Sequence, residues 1–341
     1  MNVIKPVFLL IFFISSIFFL SKDFFFTDSI EGYPHSFFTM STQATVTLYC
    51  QNQKMANKGF KIVENKFKEI VSACNVYDSE SKISKINQNS YSKDTKCSPL
   101  IWELLNISKK FYEISDYSFD VTAGPLIKQW GFYKKQNKLP SAQDIIKAKS
   151  NVGFNNIIIK KDKIRFNKKG IKIDFGGIAK GFAIDKAIEE LERNGFKSGF
   201  INLGGNIRTL SKLPKDKENF KIGIKNPKDK NRLLGTIKIK DNSISTSGNY
   251  ERYVTINGKR YTHIINPKTG MPVEGMLSVT VVTPFAVSAD ALSTAIFING
   301  AEFAKKLKGK YPNINILIIS EKDNKIIINK IGDIWDNITT P

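Results

Sequence analysis

Arginine is scarce in this chain. Of 52 basic residues only six are arginine (Arg165, Arg193, Arg208, Arg232, Arg252 and Arg260), while lysines run along the whole length. Bidentate recognition of phosphates and base edges falls mainly to arginine. The net charge of +21 therefore does not describe a nucleic-acid surface, and no nucleic-acid partner is expected. Dispersed lysines suit an anionic ligand or an anionic membrane instead. Cysteine is equally rare, and Cys50, Cys74 and Cys97 are too few and too irregularly spaced for a disulfide framework or a zinc site. Buried free thiols are expected, with one bridge through Cys50 or Cys97 left open. Histidine is limited to His35 and His263.

One long apolar run, Val7 to Leu20, follows Lys5 and is broken only by Ser15 and Ser16. It fits the apolar region of a secretory signal and is short for a spanning helix. No small-x-small cleavage site is obvious after it, and Phe24 to Phe26 extend its apolar character. Residues 1–26 are thus expected to be a signal peptide or an uncleaved N-terminal membrane anchor, placing the body on the extracytoplasmic face of the cell membrane. Lys22 and Asp23 stand where a lipid-bearing cysteine would be needed.

What is present is a globular composition, 41% hydrophobic and 24% charged, in 341 residues, enough for one large or two ordinary domains. Strand and helix patterns alternate from about Phe37. Ala44, Val46 and Leu48 alternate with polar neighbours as a half-buried strand. Phe60, Val63, Phe67, Ile70, Val71 and Cys74 recur at helical spacing, and a further helix is expected from Pro99 to Ile114. A loop over Ser118 to Pro125 precedes Trp130-Gly-Phe132, and a lysine-rich polar bridge is expected from Lys134 to Lys149. Strands are expected at Ile157–Lys160, Lys163–Phe166, Ile171–Phe175 and Phe200–Leu203. Val254 to Ile256 and Tyr261 to Ile264 flank Asn257-Gly258, a type I′ hairpin signal. A strand at Leu277–Val282 leads to a helix from Ser288 to Ile298, and strands at Ile314–Ser320 and Lys325–Asn329 end the body.

Two constellations carry chemistry. Asp174-Phe-Gly-Gly-Ile-Ala-Lys-Gly181 joins the expected strand at 171–175 to a helical pattern from Ile178 to Leu191. Helix N-termini present unpaired N–H groups, Gly176 and Gly177 allow close backbone approach, and Lys180 adds a charge, which together suit a phosphate. By itself the Gly-Gly turn is more often only a turn. On the later helix Asp290 and Thr294 are spaced i, i+4 and share a face. A carboxylate and a hydroxyl make a hard-oxygen pair of the kind Mg²⁺ takes when phosphate and backbone oxygens complete its shell, although such a pair can equally be a solvated polar stripe. His263 stands just past the hairpin, in Tyr261-Thr-His-Ile-Ile-Asn-Pro-Lys-Thr-Gly270, a loop position where function concentrates; a lone strand histidine is more often structural.

Seven segments in order resemble the ApbE family, the FAD:protein FMN transferases: Tyr77 to Asn87, Phe119 to Leu126 with Trp130-Gly-Phe132, Asp174 to Gly181 with Asp185, Asn202 to Arg208, Ser245 to Gly248, His263 to Gly270, and Ala289 to Thr294. The resemblance covers the exported body, residues 37–335. It implies an α+β, T-fold-like architecture with mixed sheets and flanking helices, in which two closely packed subregions hold the flavin site between them. It implies FAD as donor substrate, Mg²⁺ as cofactor, and transfer of FMN through a phosphoester to a threonine of an acceptor protein with release of AMP. The acceptor classes it suggests are membrane respiratory complex subunits and small exported electron carriers. Carried onto this sequence, the metal is held by Asp290, Thr294 and backbone oxygen near Gly177, and Lys180 steadies the FAD phosphates. Asp174 lines the same pocket, while Met40, Tyr77, Ser118, Phe119, Asp120 and Ile265 fall at FAD-contacting positions, with Tyr77 and Phe119 offering faces to a planar ring. His263 is the candidate base for the acceptor hydroxyl, and Asp174 the second catalytic candidate. Two alternatives stay open: an FAD pyrophosphatase, in which water replaces the threonine, and a flavin-binding protein without activity. A P-loop nucleotidase fails because Lys180 is followed by Gly-Phe and not Ser or Thr.

Overall fold

The computed structural model describes residues 31–134, 138–215, 217–229 and 231–340; the proposed signal or anchor segment lies outside them. Fifteen strands and seven helices follow one another among these residues: β1 (Glu31–Thr39), β2 (Thr42–Cys50), α1 (Gln53–Cys74), α2 (Lys82–Asn89), β3 (Thr95–Lys96), α3 (Pro99–Ile114), α4 (Gly124–Gln129), α5 (Ala142–Lys149), β4 (Ile157–Lys160), β5 (Lys163–Phe166), α6 (Ala179–Arg193), β6 (Gly199–Leu203), β7 (Asn206–Thr209), β8 (Phe220–Lys225), β9 (Leu233–Ile239), β10 (Ser243–Gly248), β11 (Tyr253–Ile256), β12 (Lys259–Thr262), β13 (Met276–Thr283), α7 (Ala286–Lys310), β14 (Asn315–Lys322) and β15 (Lys325–Ile331).

Eight of the strands form one sheet in the order β1-β2-β6-β7-β10-β13-β14-β15, antiparallel at every step. Side chains alternate across a pleated sheet, so its two faces carry separate cores. Ala44, Val46 and Leu48 of β2, with Val279, Val281, Ile316 and Ile318, face a helical layer that includes Phe67, Ile70, Ala183, Ile188 and Ile296. Leu317, Ile319, Ile244 and Val282 face the other way, onto the β8–β9 hairpin with Trp335 and Ile338. A bulge between Met276 and Ser278 puts Leu277 on this second face although its parity matches Val279. A third, smaller core joins α4 and α5 to the β11–β12 hairpin through Leu126, Trp130, Phe132, Ala148 and Ile265. These parts agree with the α+β class.

Several local expectations hold for the stated reasons. Asn52 caps α1 by accepting from the Met55 amide, and Pro99 opens α3 behind Ser98. Asn257 and Gly258 both take positive φ in the hairpin turn, as a type I′ turn requires. The cysteines are free and buried. Other expectations need correction. The polar stretch 134–149 contains a helix: Ser141 and Asp144 form a reciprocal capping box that starts α5. Residues 171–175 run extended but join no ladder. The Asn87 side chain serves the Ile173 backbone on both sides (2.8 and 2.7 Å), and the Asp174 amide goes to the Val121 carbonyl, so a side chain and a loop satisfy the groups that a neighbouring strand would have paired. Six further strands, β1, β3, β7, β8, β9 and β10, and the short helices α2 and α4, lie outside the expected elements.

Candidate active site

Helices α6 and α7 hold each other by reciprocal capping. Asp290 of α7 accepts from the Gly181 amide in the first turn of α6 (2.9 Å). Asp185 of α6 accepts from the Ala286 and Val287 amides at the start of α7 (2.9 Å each) and from Arg208 (2.6 Å). Each carboxylate satisfies amides that a helix start leaves without partners. Burial pushes the Asp185 carboxyl above the usual carboxylate range, with Arg208 and the two amides pulling it back. Contact is close enough that a Cβ on Gly181 would lie 2.2 Å from the Ala286 carbonyl oxygen. Asp185 and Arg208 entered the sequence reading only as parts of motifs; their pairing over 23 residues has no local signature.

The same lock brings the two constellations together. Asp290 is buried, so the solvated-stripe reading fails, and its second oxygen has no hydrogen-bond partner among the described residues. Thr294 sits half-buried one turn on, its hydroxyl 3.3 Å from that of Ser247 of β10, which also meets Ser293 at 2.8 Å. Gly177 lies opposite: a Cβ there would stand 3.6 Å from the Thr294 hydroxyl and 3.2 Å from the Phe119 ring. Among the described residues no three His, Cys, Asp or Glu side chains gather as a metal cluster. The side-chain donors at this point are oxygens only, the Asp290 carboxylate and the Thr294 hydroxyl among them. That set fits a magnesium ion that keeps waters and takes its remaining ligands from a diphosphate, and does not fit zinc.

Asp174 is held from two sides. Its Oδ2 accepts from the Tyr133 hydroxyl at 2.5 Å and its Oδ1 from the Gly176 amide at 2.8 Å. With both oxygens engaged it fixes the Gly-Gly turn and the Tyr133 ring. Burial and the adjacent Asp174 charge push the Tyr133 hydroxyl far above its usual range, so it stays a donor. Tyr77 is exposed and meets Tyr133 edge-on at 5.6 Å, giving a planar ligand an open aromatic face. Phe119 does not: it is 4% exposed, packed under Gly177 and against Phe111. Ser118 is buried between the Ser115 carbonyl (2.9 Å) and Asn299 of α7 (2.6 Å). Asp120 accepts from the Thr122 amide and hydroxyl and the Phe154 amide (2.8, 2.6 and 3.3 Å). Ile265 belongs to the third core, and half-buried Met40 takes positive φ in the β1–β2 turn. The side chains of Ser118, Phe119 and Ile265 are thus buried, and that of Asp120 is engaged by Thr122 and Phe154.

His263 follows β12 and packs against Phe132 at 6.3 Å. Its Nδ1 lies 2.9 Å from the Arg252 carbonyl. A carbonyl only accepts, so Nδ1 carries the proton and Nε2 keeps its lone pair. Close packing, and then the charges of Arg252 and Lys180, hold the imidazole down at about 4, neutral at ordinary pH. Arg252 itself donates to the Tyr77 hydroxyl (2.9 Å) and to the Phe132 carbonyl. It was absent from the sequence-level site, where only the rarity of arginine set it apart.

A family model described as the ApbE family matches residues 40–318. The chain belongs to the ApbE family. Among similar proteins, an FAD:protein FMN transferase of Buchnera aphidicola subsp. Schizaphis graminum is 35% identical over 254 residues, covering 72% of each chain. One from Klebsiella pneumoniae (strain 342) is 27% identical over 301 residues, covering 87% of this chain and 92% of its own. The crystal structure of the ApbE protein of Thermotoga maritima superposes with a TM-score of 0.81 at 29% identity, over 88% of this chain and 97% of that one. The flavin transferase ApbE of Vibrio cholerae, at 24% identity and the same TM-score, shows the shared ApbE fold.

Proposed function

We propose that this member of the ApbE family is an FAD:protein FMN transferase that uses FAD as donor and Mg²⁺ as cofactor and attaches FMN to a threonine hydroxyl of an acceptor protein. The observations that carry the reading are His263 with its proton on Nδ1 and the start of α6, where Asp290 holds the Gly181 amide next to Lys180. Magnesium, held by Asp290, Thr294 and backbone oxygen at Gly177, would neutralise charge on the diphosphate when bound. His263 Nε2 takes the proton of the threonine hydroxyl. The threonine Oγ–P bond to FMN forms as the bridging P–O bond breaks, and AMP leaves with the electron pair. Lys180 offsets charge on the phosphate oxygens, Tyr77 supplies a face for the ring system, and Asp174 keeps the Gly-Gly turn in place. Residues 1–26 export or anchor the chain, so that the acceptor is a membrane respiratory complex subunit or an exported electron carrier.

The deciding experiment incubates the chain with FAD, Mg²⁺ and a candidate acceptor, then weighs the acceptor by mass spectrometry. A phosphoester-linked FMN on threonine together with free AMP is expected. FMN and AMP free in solution with an unmodified acceptor would make it a pyrophosphatase instead, and no AMP at all would leave a flavin-binding protein.

A further inference from the structure

Arg252 joins three separate segments at the mouth of the site. Its side chain donates to the Tyr77 hydroxyl at 2.9 Å and to the Phe132 carbonyl, and its guanidinium lies 5.7 Å from the Phe132 ring centroid. Its own carbonyl accepts from His263 Nδ1 (2.9 Å) and from the His263 amide (3.2 Å). Tyr77 in turn meets Tyr133, which is bonded to Asp174. One residue therefore contacts the aromatic face, the segment leading to Asp174 and the imidazole. Both bonds leave one guanidinium nitrogen, Nη2, whose two N–H directions are fixed in the guanidinium plane; a lysine ammonium on a flexible stem holds such a pair far less well.

We propose that Arg252 is a positioning residue for FMN transfer: its guanidinium ties Tyr77 to the Phe132 backbone, and this holds its carbonyl where it keeps His263 in the Nδ1–H form with Nε2 as proton acceptor. The proposal rests on the transferase reading for its kinetic arm alone. The charged groups that act on the ring are Arg252 and Lys180, so removing the Arg252 charge raises the imidazole's proton affinity, whereas Arg252→Lys keeps it low.

The test compares the full chain with Arg252→Lys, Arg252→Gln and Tyr77→Phe. With only His35 and His263 in the sequence, nitrogen-detected NMR resolves both rings, and His35→Gln assigns them. Arg252→Lys is expected to lower kcat about tenfold or more, within the range of a misplaced general base, with KM for FAD within about threefold and the acid limb of the pH profile unmoved. Arg252→Gln is expected to show the same loss, an acid limb shifted to higher pH, and a His263 signal that leaves the pure Nδ1–H form. Tyr77→Phe removes one arm of the clamp without touching charge and should lower kcat severalfold without moving that limb. A wild-type rate in Arg252→Lys, or loss confined to KM in all three variants, would overturn the kinetic role. An unchanged His263 tautomer in Arg252→Gln would overturn the structural one. If the wild-type chain transfers no FMN, the transferase reading fails, and the NMR arm still decides whether Arg252 sets the tautomer.

Discussion

In the proposed mechanism His263 and Asp290 divide the chemistry at the level of single residues. Holding the imidazole at about 4 makes it a base already deprotonated over the neutral range. The sign is direct: a lowered pKa favours the neutral form, so transfer should stay flat from about pH 5.5 to 8 and fall only as the ring gains its proton below that range. Initial rates across buffers, with metal and FAD saturating, check this; an acid limb near the ordinary imidazole value of about 6.5 would contradict it. His263→Ala should bind FAD nearly as tightly as wild type and lose about 100-fold or more in kcat. Asp290→Ala should lose turnover that depends on Mg²⁺, and isothermal titration of Mg²⁺ into the FAD-bound chain should show the missing site directly. Equal loss of FAD binding in both variants would sink this division.

Helices α6 and α7 are where packing and site become one feature. The Gly181–Asp290 and Asp185–Ala286 contacts mean that the carboxylate proposed to hold the metal is aimed by the same interaction that docks the helices. Gly181→Ala, with a Cβ at 2.2 Å from a backbone oxygen, must push the helices apart and should cost about 1–3 kcal/mol in chemical denaturation, with Mg²⁺ affinity falling too. Arg208→Ala leaves the buried Asp185 charge on two amides alone and should cost about 3 kcal/mol. An unchanged denaturation midpoint in both variants would show that the lock is not needed.

The whole molecule presents one eight-stranded antiparallel sheet with a helical core on one face and a hairpin-covered core on the other. No described helix is long and apolar enough to cross a membrane; the proposed membrane attachment rests on residues 1–26. Cells expressing the full chain and a chain lacking residues 1–26 should differ in fractionation. The full chain is expected with membranes or outside the cytoplasm, and the shortened one is expected to stay behind. Identical distribution of the two would remove the extracytoplasmic assignment.

The sequence by itself determined what depends on spacing along the chain. These features include the alternating strand at 44–48, the helical spacing from Phe60 to Cys74, the helix from Pro99, the Asn257-Gly258 turn, and the i, i+4 placement of Asp290 and Thr294, because side-chain period and turn chemistry are local properties. The ordered motifs of a family add the likeness that named the candidate site. Tertiary structure alone decided what depends on partners far apart in sequence. Asn87 replaces a strand along 171–175, and burial turns Phe119 from a ligand face into a core residue. Asp185 meets Arg208, and Arg252 connects Tyr77, Phe132 and His263. Each is a contact between residues at least 11 positions apart, or an outcome of burial, and no local periodicity encodes which side chain fills a gap left by another segment.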